Sequence, residues 1–303
     1  DGFFLASQQR GILAQLGAGI RALLIDFHYG WVPIGGVVRT DVLSETNRGS
    51  GDDPELNAAQ QATVSRLLGM AGAAPPPEQH RVYLCHVTCE LGATRATSAL
   101  EEIASFLREN PNEVLLILVE DHVQPKDAVR VFEDSGLAKR AWVWERGTRL
   151  PTLREMIESR HNVLVMAEFG GGAAPWYHAG FEDLLVETQY RFESIAELSC
   201  ATNRGDREHP LFLLNHWITT GGAPSLSTAR AMNDADLLGA RARQCAAQVG
   251  QPNIVAVDFH ATGDLKKVVA TLNKVGSVPV SESVAGPKAE DSVVDDGGGG
   301  ARQ

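Results

Sequence analysis

Short, nearly continuous apolar runs recur along the chain, and stretches with helical periodicity separate them. The runs predicted as strands are 20–28, 82–86, 114–121, 163–169, 211–216 and 254–260. Strands that are apolar on both faces are typical of parallel sheets covered by helices. The alternation therefore predicts an α/β fold whose parallel sheet is either open and doubly wound or closed as a barrel.

Helix signals lie between these runs. The predicted helix starts are the capping boxes Ser98/Glu101 and Thr152/Glu155 and the cap Asp264. Each precedes apolar residues at helical spacing, and Pro111 is predicted to end the first of these helices. The long segment 31–80, with a helical pattern at 56–68, interrupts the alternation directly after the first strand. An excursion at the carboxyl end of a strand is where a barrel builds its active-site rim.

Composition and charge exclude several classes of protein. The chain has 303 residues and is 44% hydrophobic, enough for a large core, which excludes global disorder. No apolar run approaches the roughly 20 residues that span a bilayer. Lys and Arg total 27 against 38 Asp and Glu, without the clustered cationic face that nucleic-acid binding needs. No Gly-x-Gly-x-x-Gly follows the first strand, which argues against a dinucleotide site. A small phosphate ester stays a candidate substrate, because one local site can oppose the overall charge.

The two ends of the chain differ from the rest. It begins at Asp1 without a methionine or a signal-peptide pattern, which is typical of a processed chain or a fragment. Segment 277–303 has few large apolar residues and contains four consecutive glycines, which predicts a disordered tail. The sequence thus predicts one domain at 1–276 and a tail at 277–303.

Polar side chains end the predicted strands. Five of the nine histidines lie there, namely His28, His86, His122, His216 and His260. The accompanying acids and amide are Asp26, Glu120, Glu168, Asn215 and Asp258. Residues two apart in a strand share a face, and the carboxyl ends of parallel barrel strands meet at one mouth. One such residue alone often caps a loop, but the repetition on five strands predicts a shared site. Burial and neighbouring charges at such a site shift pKa values toward those that acid–base catalysis needs.

Several of these segments match a known family in order and spacing. They are IRALLIDFH (20–28), VYLCHVTCELG (82–92), NPNEVLLILVE (110–120), LNHW (214–217) and VDFH (257–260). Together they resemble the X-domain-like phosphodiesterases of the phosphatidylinositol-specific phospholipase C family, particularly the bacterial and fungal branch, over about residues 3–273. The resemblance implies a distorted (β/α)8 barrel of the TIM type whose first strand precedes Asp1 and is missing from this chain.

The family's chemistry implies a reaction and roles for individual residues. An inositol hydroxyl attacks the adjacent phosphorus, giving a cyclic phosphodiester and releasing the lipid alcohol, while one histidine removes a proton and another donates one. By resemblance, His86 is the general acid. Asp26 and Glu120 match carboxylates that bind calcium in the eukaryotic type, so Ca²⁺ or Mg²⁺ is the expected cofactor. His28, a third candidate catalytic residue beside His86 and Asp26, stands where bacterial enzymes have an arginine and eukaryotic ones a second carboxylate ligand, so neither scheme matches completely.

Two questions about this site stay open at the sequence level. The carboxylates could instead be ion-paired to Arg21 or Arg81. The family's first catalytic histidine belongs to the first strand, so it is either truncated or lost, and His122 or His260 could take its place geometrically.

The remaining candidates are assigned to substrate binding or to structure. The predicted substrate-binding residues are Glu168, Asn215, His216, Trp217, Asp258, His260 and Trp176. Trp176 follows a triple glycine, and its ring could stack on a sugar, enter a lipid interface or anchor the loop. Cys85 and Cys89 flank His86 and bond either to each other or to Cys200 and Cys245, as structural staples and not as a redox motif.

The sequence therefore predicts a phosphoric diester hydrolase acting on a phosphoinositide or a related phosphodiester. We expect a secreted monomer that contacts membranes peripherally and binds no nucleic acid. The alternatives are a non-catalytic barrel that binds a lipid headgroup or glycan, and a metal hydrolase of glycerophosphodiesterase or amidohydrolase type.

Overall fold

The structure is a computed structural model that describes residues 7–33, 36–41, 80–86, 88–218 and 224–273. The helical pattern at 56–68 and the predicted tail at 277–303 lie outside these residues. No helix in the described part of the chain is long and apolar enough to cross a lipid bilayer.

The described residues contain ten strands and seven α-helices. The strands are β1 (Ala22–Trp31), β2 (Arg39–Thr40), β3 (Arg81–Leu84), β4 (Thr94–Arg95), β5 (Leu115–Asp121), β6 (Val163–Ala167), β7 (Tyr177–Ala179), β8 (Leu185–Glu187), β9 (Leu211–Asn215) and β10 (Ile254–Ala256). The α-helices are α1 (Ile12–Gly17), α2 (Ala96–Glu109), α3 (Pro125–Asp134), α4 (Leu153–Ser159), α5 (Leu226–Met232), α6 (Ala235–Gln248) and α7 (Leu265–Leu272). Short 3₁₀ turns at Cys89–Leu91, Leu137–Arg140 and Ile195–Glu197 and a π-helical turn at Gly180–Leu184 complete the set.

The strands form two sheets with mostly parallel pairing. The first has the order β4-β3-β1-β5-β6-β7, with β2 also paired to β1, and the second has the order β10-β9-β8. Strands β1, β5, β6 and β7 run parallel, as do β8, β9 and β10. The predicted α/β fold is confirmed. In the described residues no strand pairing joins the two sheets, so the hydrogen bonds of a closed barrel are incomplete there.

Strand β3 corrects one sequence prediction. Its run was predicted as a parallel barrel strand over 82–86, but it is antiparallel to β1, with Leu84 opposite Phe27, and it ends at Leu84. An apolar run predicts that both faces of a strand are buried, but it does not predict whether the strand pairs parallel or antiparallel. His86 therefore lies in the turn after the strand.

Other strand and helix ends are also corrected. Strand β10 ends at Ala256, short of the predicted 260, and Phe259 turns the chain with a φ of 48°. The capping box at Thr152 is confirmed, and α2 ends before Pro111 as predicted. The Ser98 box is wrong, because α2 starts at Ala96 directly after β4. Asp264 occupies the N-cap position of α7, but its side chain makes no capping bond.

The two faces of the sheets bury different cores. Between the sheets, Leu118 and Met166 of the first sheet pack with Leu185, Leu213 and Ile254 of the second. On the outer face, the alternate side chains of β1, β5 and β6 pack against α2 and α3. Above the apolar layer between the sheets, the same strand faces carry polar residues. Burial of apolar area thus fixes which strand-end side chains point toward a common space.

Candidate active site

Three carboxylates lie side by side on three neighbouring strands, Asp26 within β1, Glu120 near the end of β5 and Glu168 directly after β6. Asp26 of β1 pairs in register with Glu120 of β5. Glu168 comes directly after β6, and its backbone N–H donates to the Val119 carbonyl at 2.8 Å. Glu120 and Glu168 each follow a buried inner-face residue by two positions, and Asp26 pairs with Glu120, so all three lie on the same face of the sheet.

Glu168 is the most strongly perturbed of these acids. Burial raises its pKa well above the usual value, and the nearby Glu120 and Glu187 raise it further. Arg204 opposes these effects by donating to Glu168. The same guanidinium donates from Nε to Glu187 at 2.6 Å, and Asn215 donates to the other Glu187 oxygen at 2.9 Å.

Arg204 is a functional candidate that the sequence analysis missed. It lies in the loop between β8 and β9, outside the strand-end pattern. Its guanidinium carbon lies 4.2 Å from the ring centroid of Phe181 and 5.2 Å from that of Tyr190. Burial would lower its pKa, but Glu168 and Glu187 more than offset this, so the pKa is raised and the charge is permanent. Arg21, considered as the partner of the carboxylates, is bonded instead to Glu113 at 2.7 Å.

Two histidines stack beside the carboxylate row. The rings of His28 and His122 lie 4.3 Å apart and nearly parallel. His122 Nε2 lies 2.8 Å from Glu120 Oε1, and the His122 ring contacts Phe169 with centroids 5.7 Å apart. His28 is buried. The stack therefore joins β1 and β5 at the level of Asp26 and Glu120.

His86 and Asp258 belong to different sheets and lie within electrostatic reach of each other. His86 follows β3 of the first sheet, and Asp258 follows β10 of the second. Burial raises the pKa of Asp258 to about 6, while the charge of His86 acts to lower it.

Other predicted binding residues lie at this end of the second sheet. Asn215 projects inward, bonded to Glu187, and the half-buried Trp217 follows it. His260 lies beyond the Phe259 turn, where its backbone N–H and Nδ1 approach Gln8 Oε1 at 2.9 and 2.8 Å.

Two predicted residues lie away from this cluster. His216 points to the outer face, where Nε2 donates to the Met232 carbonyl at 2.7 Å and Nδ1 accepts from Arg241 at 3.1 Å. Successive side chains of a strand point to opposite faces, and Asn215 points inward, so His216 points outward. Trp176 packs against Phe132 of α3 with centroids 5.6 Å apart, among the outer core residues.

The buried His216 predicts a pH dependence of stability. Burial, with a smaller contribution from Arg241, lowers its pKa to about 4, below its usual 6.5 in the unfolded chain. Because the unfolded state binds the proton more readily, stability present above pH 6.5 is lost as the pH falls toward 4, by about 3 kcal/mol. Urea unfolding at pH 7 and 4.5 should show a smaller pH effect in His216→Gln than in the wild type, while the exposed control His161→Gln should keep it. Equal pH effects in both variants would contradict this role.

Asp26 and Glu120 were predicted to bind a divalent metal ion. In the described ranges no group of three His, Cys, Asp or Glu side chains is arranged to hold one. Glu120 is bonded to His122, and Glu168 is paired with Arg204. These residues do not fit a ready-made metal site, and the Ca²⁺ or Mg²⁺ at Asp26 and Glu120 stays a prediction.

The two disulfides settle the open cysteine pairing. Cys85 bonds to Cys89, and Cys200 bonds to Cys245. His86 lies between the two cysteines of the first bridge in the sequence. The second packs with Phe212 on the outer face of the second sheet.

Comparison with solved structures supports the fold. Phosphatidylinositol-specific phospholipase C from Listeria monocytogenes is similar over 90% of this chain and 84% of its own, with a TM-score of 0.50 and 15% sequence identity. At this identity the similarity concerns the fold, which in that enzyme is TIM-barrel-like.

Sequence comparisons give the family. A PI-PLC X domain-containing protein of Arabidopsis thaliana is 25% identical over 59% of this chain and 44% of its own length. A protein of Arthroderma benhamiae described as an uncharacterized secreted protein is 26% identical over 64% of this chain and 50% of its own. The chain thus spans about half the length of these curated relatives. The sequence pattern of the family described as PI-PLC X 1 matches residues 66–273. The chain therefore belongs to the PI-PLC X family and has a phospholipase C-like phosphodiesterase fold.

Proposed function

We propose that the protein is a phosphoric diester hydrolase that cleaves phosphatidylinositol or a related phosphodiester lipid. The proposal rests on the row of Asp26, Glu120 and Glu168 on the inner strand faces of the first sheet, together with the electrostatic influence of His86 on Asp258. A proton donor and a permanent cation are groups that phosphodiester cleavage uses.

The proposed reaction assigns the acid step to His86. A hydroxyl of the headgroup forms a bond to phosphorus as the bond from phosphorus to the lipid oxygen breaks. His86 donates its proton to that leaving oxygen. His28 and Asp26 orient the phosphate. The hydroxyl proton passes to His122, the imidazole that Glu120 orients through Nε2 at 2.8 Å.

Inward-facing polar groups provide the binding of the headgroup. Glu168, Asn215 and the Glu187–Arg204 pair form a hydrogen-bonding surface that suits the hydroxyls of a polyol, and Trp217 and His260 border it. His216 and Trp176 are left out of the proposed site because they pack on the outer face.

The cellular setting is part of the proposal. Two disulfides are typical of an oxidising compartment, and one relative is named as a secreted protein. We propose that the chain acts outside the cytoplasm as a monomer that touches a lipid surface peripherally.

Turnover of phosphatidylinositol vesicles tests the proposal. Cyclic inositol phosphate released by the wild type is the expected product. Binding of the vesicles without any product would instead support a non-catalytic, headgroup-binding protein. Addition of EDTA tests the metal separately: activity that persists assigns charge neutralisation to protein groups such as Arg204, whereas activity lost and then restored by Ca²⁺ or Mg²⁺ assigns an ion to Asp26 and Glu120.

A further inference from the structure

We propose that the Cys85–Cys89 disulfide is a positioning element for His86, which holds this imidazole at the mouth of the site. The proposal rests on the function above insofar as His86 is the general acid. The bridge joins residues four apart in sequence, with 4.8 Å between their Cα atoms, so it closes a very short loop around His86.

Both ends of this loop are anchored in the fold. Cys85 directly follows β3, and both cysteines are buried against Tyr83. The Cys89 backbone N–H donates to Thr40 Oγ1 at 2.8 Å. Thr40, in β2, in turn donates from its backbone N–H and its hydroxyl to Glu90 at 3.1 and 2.8 Å. The bridge thus ties the end of β3 to β2.

His86 itself lies beyond the last paired residue of its strand. Strand β3 ends at Leu84, so ladder hydrogen bonds do not fix the His86 backbone. Within the loop, the Thr88 N–H donates to the His86 carbonyl at 2.8 Å. A general acid must lie within hydrogen-bond reach of the leaving oxygen, and a misplacement of about 1 Å can cost about 10²-fold in rate. The bridge supplies the constraint that the strand does not.

The second disulfide offers a matched control in the same chain. Cys200–Cys245 closes a loop with a sequence separation of 45, and it packs in the outer core beside Phe212. Closing a long loop restricts the unfolded chain more than closing a short one. The two bridges should therefore differ in kind: Cys200–Cys245 should contribute mainly stability, and Cys85–Cys89 mainly the placement of His86.

The first arm of the test measures catalysis and stability in the whole chain. We expect Cys85→Ser/Cys89→Ser to lower kcat by about 10- to 100-fold with KM little changed, and to lower the melting temperature moderately because a buried short loop is opened. Cys200→Ser/Cys245→Ser should lower the melting temperature more and leave the kcat of the folded protein unchanged. A wild-type kcat in the first double variant would overturn the proposal.

The second arm does not depend on activity. His86 acts to lower the pKa of Asp258, so His86→Gln should raise that pKa above its value of about 6. Carboxyl NMR should show a rise in the same direction in Cys85→Ser/Cys89→Ser and no rise in Cys200→Ser/Cys245→Ser. The positioning role is refuted if His86→Gln raises the pKa of Asp258 while Cys85→Ser/Cys89→Ser leaves it unchanged. It is also refuted if neither variant raises this pKa. A wild type without turnover would refute the proposed function alone, since this arm still decides the inference.

Discussion

Replacing His86 by glutamine is expected to lower kcat toward phosphatidylinositol by about 10²- to 10⁴-fold, the usual contribution of a positioned general acid. Glutamine keeps a similar size but cannot deliver a full proton to the lipid oxygen as the bond to phosphorus breaks. Because the headgroup contacts are made by other residues, KM should change little, and kcat and kcat/KM should fall together.

Steady-state kinetics on mixed vesicles measures this loss. The exposed His161, which follows α4 in the chain, provides the matched control, and His161→Gln should retain wild-type kinetics. A His86→Gln variant within threefold of the wild-type kcat would remove His86 from the mechanism.

Replacing Arg204 by methionine should cause the largest loss of stability, about 3 kcal/mol at pH 7. The change leaves Glu168 and Glu187 close together without their shared cation, and the Glu187 side chain is only 2% exposed. Breaking a buried ion pair by removing one partner costs about 3–5 kcal/mol, and the 29% exposure of Arg204 places it at the lower end. Methionine keeps the packing against Phe181, so most of the loss is electrostatic.

Urea unfolding measures this loss, with Arg146→Met as the control. Arg146 also bonds a carboxylate, that of Asp183, but its side chain is 71% exposed, so its loss should cost at most about 1 kcal/mol. The Arg204→Met deficit should shrink as the pH falls through the raised pKa of Glu168, because this carboxylate then takes up a proton. A deficit that does not depend on pH would indicate lost packing instead of uncompensated charge.

The strand ends could be read from the sequence because their geometry is local. Period two fixes the face on which Asp26, Glu120 and Glu168 lie, and parallel pairing sets them side by side. The same rule places His216 on the face opposite Asn215, which the structure shows in its contacts with Met232 and Arg241.

What the sequence could not give depends on tertiary contacts. Arg204 lies in a loop, and no periodicity brings its guanidinium to Glu168 and Glu187. The direction of β3 is likewise invisible in its apolar residues, so the place of His86 in a disulfide-closed turn required the fold. Trp176 follows a glycine-rich segment that suggested a binding loop, yet Phe132 of α3 holds its ring on the outer face.

We propose that side chains from distant strands line one cavity that accepts a phosphodiester headgroup. Titration with glycerophosphoinositol, followed by NMR of the His86 ring and the Arg204 Nε–H, observes this directly. Both signals should shift with one shared dissociation constant, while the outward-facing His216 ring stays unchanged. Shifts of His216 in place of His86, or different dissociation constants for His86 and Arg204, would show that these groups do not share a cavity.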